Sequence, residues 1–322
     1  MPAPPMPEDW NAVSTDEMAE RLRATGLPRR LFELMRDEDL GPSGTDATAA
    51  ALRDPDHAAG PLVSGQIEAV VRVREPCVVA GLTWLADLAA VFGRGRTGTA
   101  SFAASTSDGA RADAGDAVGV VRGPLGAVVG LERSLLNLLS RLSGVATRAA
   151  AFAAEIPPGS RCRVFDTRKT TPGLRALEKH AVRCGGACCH RMGLHDAVLI
   201  KDNHLAGVTD AELPGLVRAA SERGRAAGAS FVEIEVDRVE QLDALLTLEA
   251  GVVDVVLLDN MTPGTLAEAA RRRDRRGAGP LLEASGGVTL ERVAPIAGTG
   301  VDRVSSGSIT RDAGWIDFGL DR

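Results

Sequence analysis

The sequence holds no tyrosine, only three lysines, and no apolar run near the roughly 18–20 residues that cross a membrane. The last absence leaves no membrane-spanning helix to expect. The opening stretch, MPAPPMPEDWNAVSTDE, has neither a basic n-region nor an apolar h-region, so no secretory signal is visible and a cytoplasmic location is expected. Cysteine is scarce and odd in number, at five, which suits a reducing compartment better than a disulfide scaffold. Cys188 and Cys189 adjoin one another, unlike the ligand spacing of zinc fingers or ribbons, so no structural metal is expected. Net positive charge is missing too. A net charge of −6 argues against a general nucleic-acid binder, because neutralising phosphates requires a broad basic surface.

What lysine there is lies in one place. Lys169, Lys179 and Lys201 all fall within residues 166–204, and the remaining cationic side chains are arginines apart from histidine. The same window holds four of the five histidines and three of the five cysteines. Lysine is a compact point charge on a flexible stem and differs from the planar arginine fork at anionic sites. A chain that uses arginine almost everywhere but places lysines in DTRKT and IKDNH points to polyanion chemistry there.

The length of 322 residues permits one to three domains. Residues 1–15 are Pro-rich and expected to be mobile. Residues 16–130 read as a mixed domain, with strands in LVSGQIEAVVRV and EPCVVAGL and a helix in GLTWLADLAAVFG. From 131 to 156 apolar residues recur at helical spacing, with an interruption expected near Ser143 and Gly144. Short apolar runs then alternate with helical segments through residue 310: RVF, AVLI, FVEIEV, VVLL, LLEA and VDRVSS. Repeated βα units imply parallel strands with helical crossovers. An α/β barrel or near-barrel is the favoured closure, and a doubly wound open sheet is the alternative.

Each strand ends in a polar cluster: DTRKT, IKDNH, EIEVD, LLDN, EASGG or SSGS. In parallel α/β folds the ligand site lies at the carboxyl ends of the strands. Arg168, Lys169, His190, Arg191 and Lys201 would therefore share one mouth and bind a substrate carrying several negative charges. Glu233 and Glu235 alternate along one strand and point to one face. Glu235 with Asp259 suits Mg²⁺ through oxygen ligands or water, while pairing of the glutamates with Lys169 and Lys201 is the alternative. EASGG and SSGS, containing Ser285, Gly286, Gly287 and Gly307, supply glycine turns where backbone N–H groups bind phosphate. Cys188 and Cys189 are read as packing residues, Lys179 as a solvated mid-helix residue, and the run RRRDRR at 271–276 as a solvated helix end.

The segment DTRKTTPGLRALEKHAVRCGGACCHRMGLHDAVLIKDNH resembles the quinolinate phosphoribosyltransferase family. The likeness continues through ERSLLNLLSRLSG, EIEV, LLDN, EASGG and SGSIT…DFGL, covering roughly residues 120–322, and is looser before that. It implies an N-terminal α/β sandwich domain (16–130), an incomplete α/β barrel (131–310) and a C-terminal segment (311–322) returning to the N-terminal domain. It also implies a homodimer or higher homo-oligomer with a shared active site. The implied reaction joins quinolinate to phosphoribosyl pyrophosphate with Mg²⁺, releasing nicotinate mononucleotide, pyrophosphate and CO₂. By resemblance, Arg133 is offered to a neighbouring subunit's quinolinate, and Arg168, His190 and Arg191 bind its carboxylates. Lys169 and Lys201 lie at the substrate and pyrophosphate, Glu235 and Asp259 serve ribose and metal, and Ser285, Gly286, Gly287 and Gly307 cradle the 5′-phosphate.

Three departures stand out. Ala187 and Cys189 replace a glycine and an asparagine of the family's Gly-Gly-Gly-x-Asn-His-Arg run. His180 stands where tyrosine is common, and the ending is atypical around Ser306 and Arg311. They leave open a specialised paralogue acting on another heterocyclic acid. A non-catalytic oxyanion-binding relative is a further alternative, against which the retained IKDNH argues.

Overall fold

A computed structural model describes residues 10–42, 44–51, 65–94, 98–277 and 279–322. Most of the Pro-rich opening, residues 1–9, lies outside the described residues. In chain order the elements begin with α1 (Thr15–Ala24), α2 (Leu27–Leu40), α3 (Ala47–Ala51), β1 (Gln66–Val73), β2 (Cys77–Val78) and α4 (Leu82–Phe92). Next come β3 (Ser101–Ala104), β4 (Arg111–Ala112), β5 (Ala117–Pro124), α5 (Leu125–Ala154), β6 (Arg163–Phe165), α6 (Arg175–Cys184) and β7 (Val198–Ile200). The βα series then runs α7 (Leu213–Ala226), β8 (Val232–Val236), α8 (Val239–Leu245), β9 (Val255–Asp259), α9 (Pro263–Asp274), β10 (Leu281–Ser285) and α10 (Leu290–Ala297). It ends with β11 (Arg303–Ser305), α11 (Ser308–Arg311) and β12 (Phe318–Asp321). The contacts divide the chain into two compact units.

One unit comprises Ser14–Ala150, Thr171–Gly186 and Ala313–Arg322. Its sheet has the order β12-β1-β5-β3 and is antiparallel throughout. Strand β1 alternates exposed and buried positions, as expected when one face of an antiparallel sheet meets a core. Of the apolar run EPCVVAGL only Cys77–Val78 is strand. Helix α5 is amphipathic, burying Leu131, Leu135, Leu138, Leu142, Val145 and Ala149 at three- and four-residue spacing. Each leucine so buried stabilises the unit by roughly 1.5–3 kcal/mol.

Two expectations change here. The helix is not interrupted at Ser143–Gly144 but continues for 30 residues. Those two residues permit close approach rather than a break: the Ser143 hydroxyl accepts from Ala80 N–H at 3.0 Å, and a Cβ at Gly144 would collide with the Gly314 carbonyl oxygen. Lys179, read as solvated, is fully buried on α6. Its neighbour Glu178 is buried as well and binds Arg141 at 2.7 Å, so this helix turns a charged face inward.

The other unit comprises Met1–Val13, Ala151–Thr170 and Ala187–Asp312. Its six strands form one parallel sheet in the order β6-β11-β10-β9-β8-β7. Strand β9 is buried on both faces, which accounts for its unbroken apolar run. The first strand pairs with the last, Phe165 opposite Ser305, and that pairing belongs to a curling sheet rather than to a doubly wound open one. Closure fails between β6 and β7, where a lone parallel bridge joins Phe165 to Cys188. The fold is thus an incomplete parallel α/β barrel. At the amino ends of the strands, Arg161, Arg273 and Asp302 line a hollow of about 290 Å³. Arg273 belongs to the run expected to be solvated, yet it is buried and paired with Asp302. A guanidinium can satisfy its donors internally even within a charged helix end.

Gly144 and Gly130 allow a paired prediction on one helix. Gly144→Ala should destabilise the protein by about 1–3 kcal/mol despite alanine's higher helix propensity. Gly130→Ala, which meets open space, should be neutral or stabilise by about 0.5–1 kcal/mol. Urea denaturation monitored by circular dichroism measures both; equal effects would disprove the close-approach role of Gly144.

Candidate active site

The register of the parallel sheet sets the strand ends side by side. Ser285 lies opposite Asp259, and Glu235 lies opposite Leu257. The loops after β6 and β7 add Arg168, Lys169 and Lys201. A cleft of about 530 Å³ opens at this end. Arg168, Lys169, His190, Arg191, Lys201, Glu235, Asp259, Ser285, Gly286 and Gly287, all named from sequence, line it. Gly307 lies just beneath: a Cβ there would come within 2.6 Å of the Lys169 Cδ. The Thr310 hydroxyl meanwhile bonds the Lys169 carbonyl at 2.8 Å. Arg133 is not brought to the cleft; it is an exposed residue of α5 in the other unit.

The cationic side is not fully spent on the protein. Arg168 Nε is buried without a hydrogen-bond partner among the described residues. Burial and the nearby Arg168 pull the Arg191 guanidinium below its ordinary value, against the opposing effect of Glu233 and Asp196. Guanidinium remains charged in proteins, so two neighbouring cations, one holding an unused donor, favour an anionic guest. Lys201 forms an ion pair with Glu235.

His190 is held by the chain around it. Its backbone N–H donates to Asp166 at 2.8 Å, and its Nδ1 accepts from the Arg191 N–H at 2.8 Å. Nδ1 therefore carries no proton, and Nε2 is the N–H nitrogen. Nε2 stands 2.8 Å from Glu233 and 3.5 Å from Glu283. Both carboxylates are fully buried, and none of their oxygens receives a well-aligned hydrogen bond among the described residues. Desolvation, then the Glu233 charge, push Glu283 up to about 7, with His190 opposing. Glu233 thus pairs with His190 and not with a lysine, whereas Glu235 does take Lys201.

The glycine loops follow the same logic. Gly286 has φ +93°, and a Cβ there would fall on the Asn260 side chain, so glycine is required. Asn260, itself at φ 54°, donates its backbone N–H to Ser285 at 2.9 Å. Sequence reasoning passed over Asn260, Thr167 and Glu283 as cleft residues. Glu283 was findable, since it precedes Ser285 by two positions on one strand and shares its face. Asn11 was not. Its side-chain amide clasps the Cys189 backbone through two bonds of 2.8 Å. Ala187 and Cys189 are buried and absent from the cleft wall, so these two departures lie behind the mouth rather than in it.

Known proteins resemble this chain along most of its length. The quinolinate phosphoribosyl transferase C-terminal domain model matches residues 145–321, and the corresponding N-terminal domain model matches 46–143. The nicotinate-nucleotide pyrophosphorylase [carboxylating] of Mycobacterium leprae is 41% identical over 265 residues, covering 82% of this chain and 87% of that protein. The rat protein of the same name is 39% identical over 205 residues, 63% of this chain and 66% of its own. A Francisella tularensis nicotinate-nucleotide pyrophosphorylase structure superposes with TM-score 0.76 at 28% identity, covering 98% of this chain and 99% of that one. One from Ehrlichia chaffeensis gives 0.75 at 30% identity, covering 91% and 97%. Among the described residues, no helix is long and apolar enough to cross a membrane. With both domain models matched in order along one chain, the protein belongs to the quinolinate phosphoribosyl transferase family.

Proposed function

We propose that the chain transfers the phosphoribosyl group of phosphoribosyl pyrophosphate to quinolinate with decarboxylation, giving nicotinate mononucleotide, pyrophosphate and CO₂. The observation that carries this reading is the unspent, buried Arg168 Nε beside Arg191 in a cleft whose far side carries carboxylates and glycine loops. Arg168 and Arg191 hold the two carboxylates of the pyridine acid, while His190, both of whose ring nitrogens are engaged within the protein, sets the backbone that presents Arg191 rather than binding a carboxylate itself. Ser285, Gly286, Gly287 and Gly307 receive the 5′-phosphate, and Lys169 and Lys201 face substrate and pyrophosphate.

Departure of pyrophosphate from ribose C1 builds positive charge on the sugar, which Glu235 and Asp259 stabilise electrostatically. Attack by the ring nitrogen makes that nitrogen cationic. Loss of CO₂ from the adjacent carbon then leaves an electron pair stabilised by the neighbouring positive charge. That step needs a fixed ring orientation more than a strong base. The backbone of His190 and Arg191, held by Asp166 and by His190 Nδ1, supplies it.

Mg²⁺ fits the donor set. Glu235 and Asp259 are half-buried oxygen donors that join no cluster of three protein ligands among the described residues. Mg²⁺ ordinarily completes such a shell with water and phosphate oxygens. Held by these two carboxylates, directly or through water, it would neutralise charge on the pyrophosphate. A homodimer or higher homo-oligomer in the cytoplasm, with Arg133 completing a neighbour's site, belongs to the same reading. The position of Cys189 and Ala187 behind the cleft favours quinolinate over a different heterocyclic acid.

Incubation with quinolinate, phosphoribosyl pyrophosphate and Mg²⁺ should yield nicotinate mononucleotide, detected by chromatography. Lys201→Ala should lower kcat by at least about a hundredfold while circular dichroism and melting stay near wild type; turnover of a different pyridine acid alone would refute the substrate assignment. In verified mixed dimers, Arg133→Ala and Lys201→Ala subunits should restore activity that neither homodimer has, and failure to do so would mean self-contained subunits. Glu283 makes a pH prediction. Its folded value, about 7, exceeds the unfolded 4.5, so the folded state holds the extra proton and stability falls as pH rises between these values. Glu283→Gln should therefore stabilise the protein at pH 8 by on the order of 1–3 kcal/mol, with the gain vanishing toward pH 4. A pH-independent gain in chemical denaturation would contradict this origin.

A further inference from the structure

Outside the cleft, among the described residues, one cluster of donor side chains has no part in the chemistry above. Asp108, His180 and Cys184 bring a carboxylate oxygen, a ring nitrogen and a thiol sulfur within 4.8 Å of one another. All three belong to the unit containing the antiparallel sheet. His180 and Cys184 stand four residues apart on α6, on one face. Asp108 comes from the turn between β3 and β4.

Each donor is already oriented by neighbours. His180 Nε2 lies 3.2 Å from the Thr15 carbonyl oxygen. A carbonyl only accepts, so Nε2 carries the proton and Nδ1 is the unprotonated nitrogen, which faces the Cys184 thiol. Nδ1 is also the ring nitrogen nearer Cys184 Sγ, at 3.7 Å against 4.0 Å for Nε2. Tetrahedral zinc with Zn–S and Zn–N bonds of about 2.3 and 2.0–2.1 Å separates those two ligand atoms by about 3.5 Å. The observed spacing needs only a small adjustment. Asp108 accepts the Leu82 N–H at 2.8 Å and the Thr83 N–H at 3.2 Å, at the start of α4. Each carboxylate oxygen keeps a second lone pair. An imidazole donating its other nitrogen to a carbonyl, and a carboxylate fixed by amides, are the outer-shell supports that metal ligands ordinarily have.

The environment suits a soft, compact cation. Trp84 is fully buried and meets the His180 ring edge to face at 5.3 Å, closing one side. Asp108 and Cys184 are half-buried, whereas His180 is fully buried. Burial raises the Cys184 thiol well above its ordinary range, and the nearby Asp108 charge adds to this. A metal would therefore have to displace the thiol proton. Thiolate and imidazole together select zinc over magnesium or calcium.

We propose that Asp108, Nδ1 of His180 and Cys184 form a binding site for one Zn²⁺, with water as the fourth ligand, that ties α6 to the β3–β4 turn. Binding forms the Sγ–metal bond and releases the thiol proton to solvent. The site is independent of the phosphoribosyl-transfer reading, and its role is to hold the unit together. In the sequence its members are scattered: the His–Cys pair has helical spacing, while Asp108 precedes His180 by 72 residues.

The test uses the full-length chain, reduced, stripped with a chelator, desalted and kept in excess Mg²⁺ to occupy hard-ligand sites. Co²⁺ is titrated alone, then displaced by Zn²⁺. One equivalent of Co²⁺ should produce a thiolate-to-metal absorption band in the near ultraviolet. Zn²⁺ should bleach it and raise the melting temperature. Cys184→Ala and His180→Gln should abolish the band and weaken Zn²⁺ binding by roughly a hundredfold. If His180→Gln does not fold, Cys184→Ala, which replaces only the thiol with a hydrogen, decides the matter alone. Absence of the band in the wild type, or its survival in Cys184→Ala, would overturn the site.

Discussion

Glu233 and Glu283 point inward from neighbouring regions of one parallel sheet and are both fully buried. Two ionised carboxylates in such a place would cost several kcal/mol each before any compensation. The compensation is what shapes this end of the cleft. Glu283 is driven toward its neutral form near pH 7. Arg303 lies 3.9 Å from it, with its guanidinium stacked over Phe165 at 4.6 Å. His190 turns Nε2 toward both acids, which leaves Nδ1 to receive the Arg191 amide. The backbone that presents Arg191 to the cleft is thus set from inside the barrel.

The same constraint explains which parts of the molecule were legible in the sequence. Strand-end residues such as Lys169, Lys201, Glu235 and Asp259 were readable because a parallel barrel leaves one place for polar groups that follow apolar runs. Six strands and their crossover helices follow from that rhythm alone. Other features depend on a partner that the local pattern does not name. Asn11 and Cys189 are 178 residues apart, and no periodicity links them. Gly144 reads as a helix interruption until Gly314 is found against it. Lys179 reads as solvated until Glu178, next to it, proves to be buried against Arg141. Period and composition report which face an element has, whereas tertiary contact decides what that face meets.

The division of labour between the two basic residue types now has a physical account. Arginine fills the internal pairs that need fixed geometry: Arg141 with Glu178, Arg273 with Asp302, and Arg303 between a carboxylate and an aromatic face. Its planar fork satisfies several acceptors at once and stays charged when buried. Lysine at the mouth does something else. Lys201 contacts Glu235 through a single ammonium on a flexible stem and is 40% exposed. Such a group can exchange one oxygen partner for another with little rearrangement, as polyphosphate binding and release require. An arginine at 201 would gain a second hydrogen bond to Glu235 and lose that freedom. Arginine thus fills the internal pairs, while two of the three lysines stand at strand ends and the third, Lys179, is buried on α6.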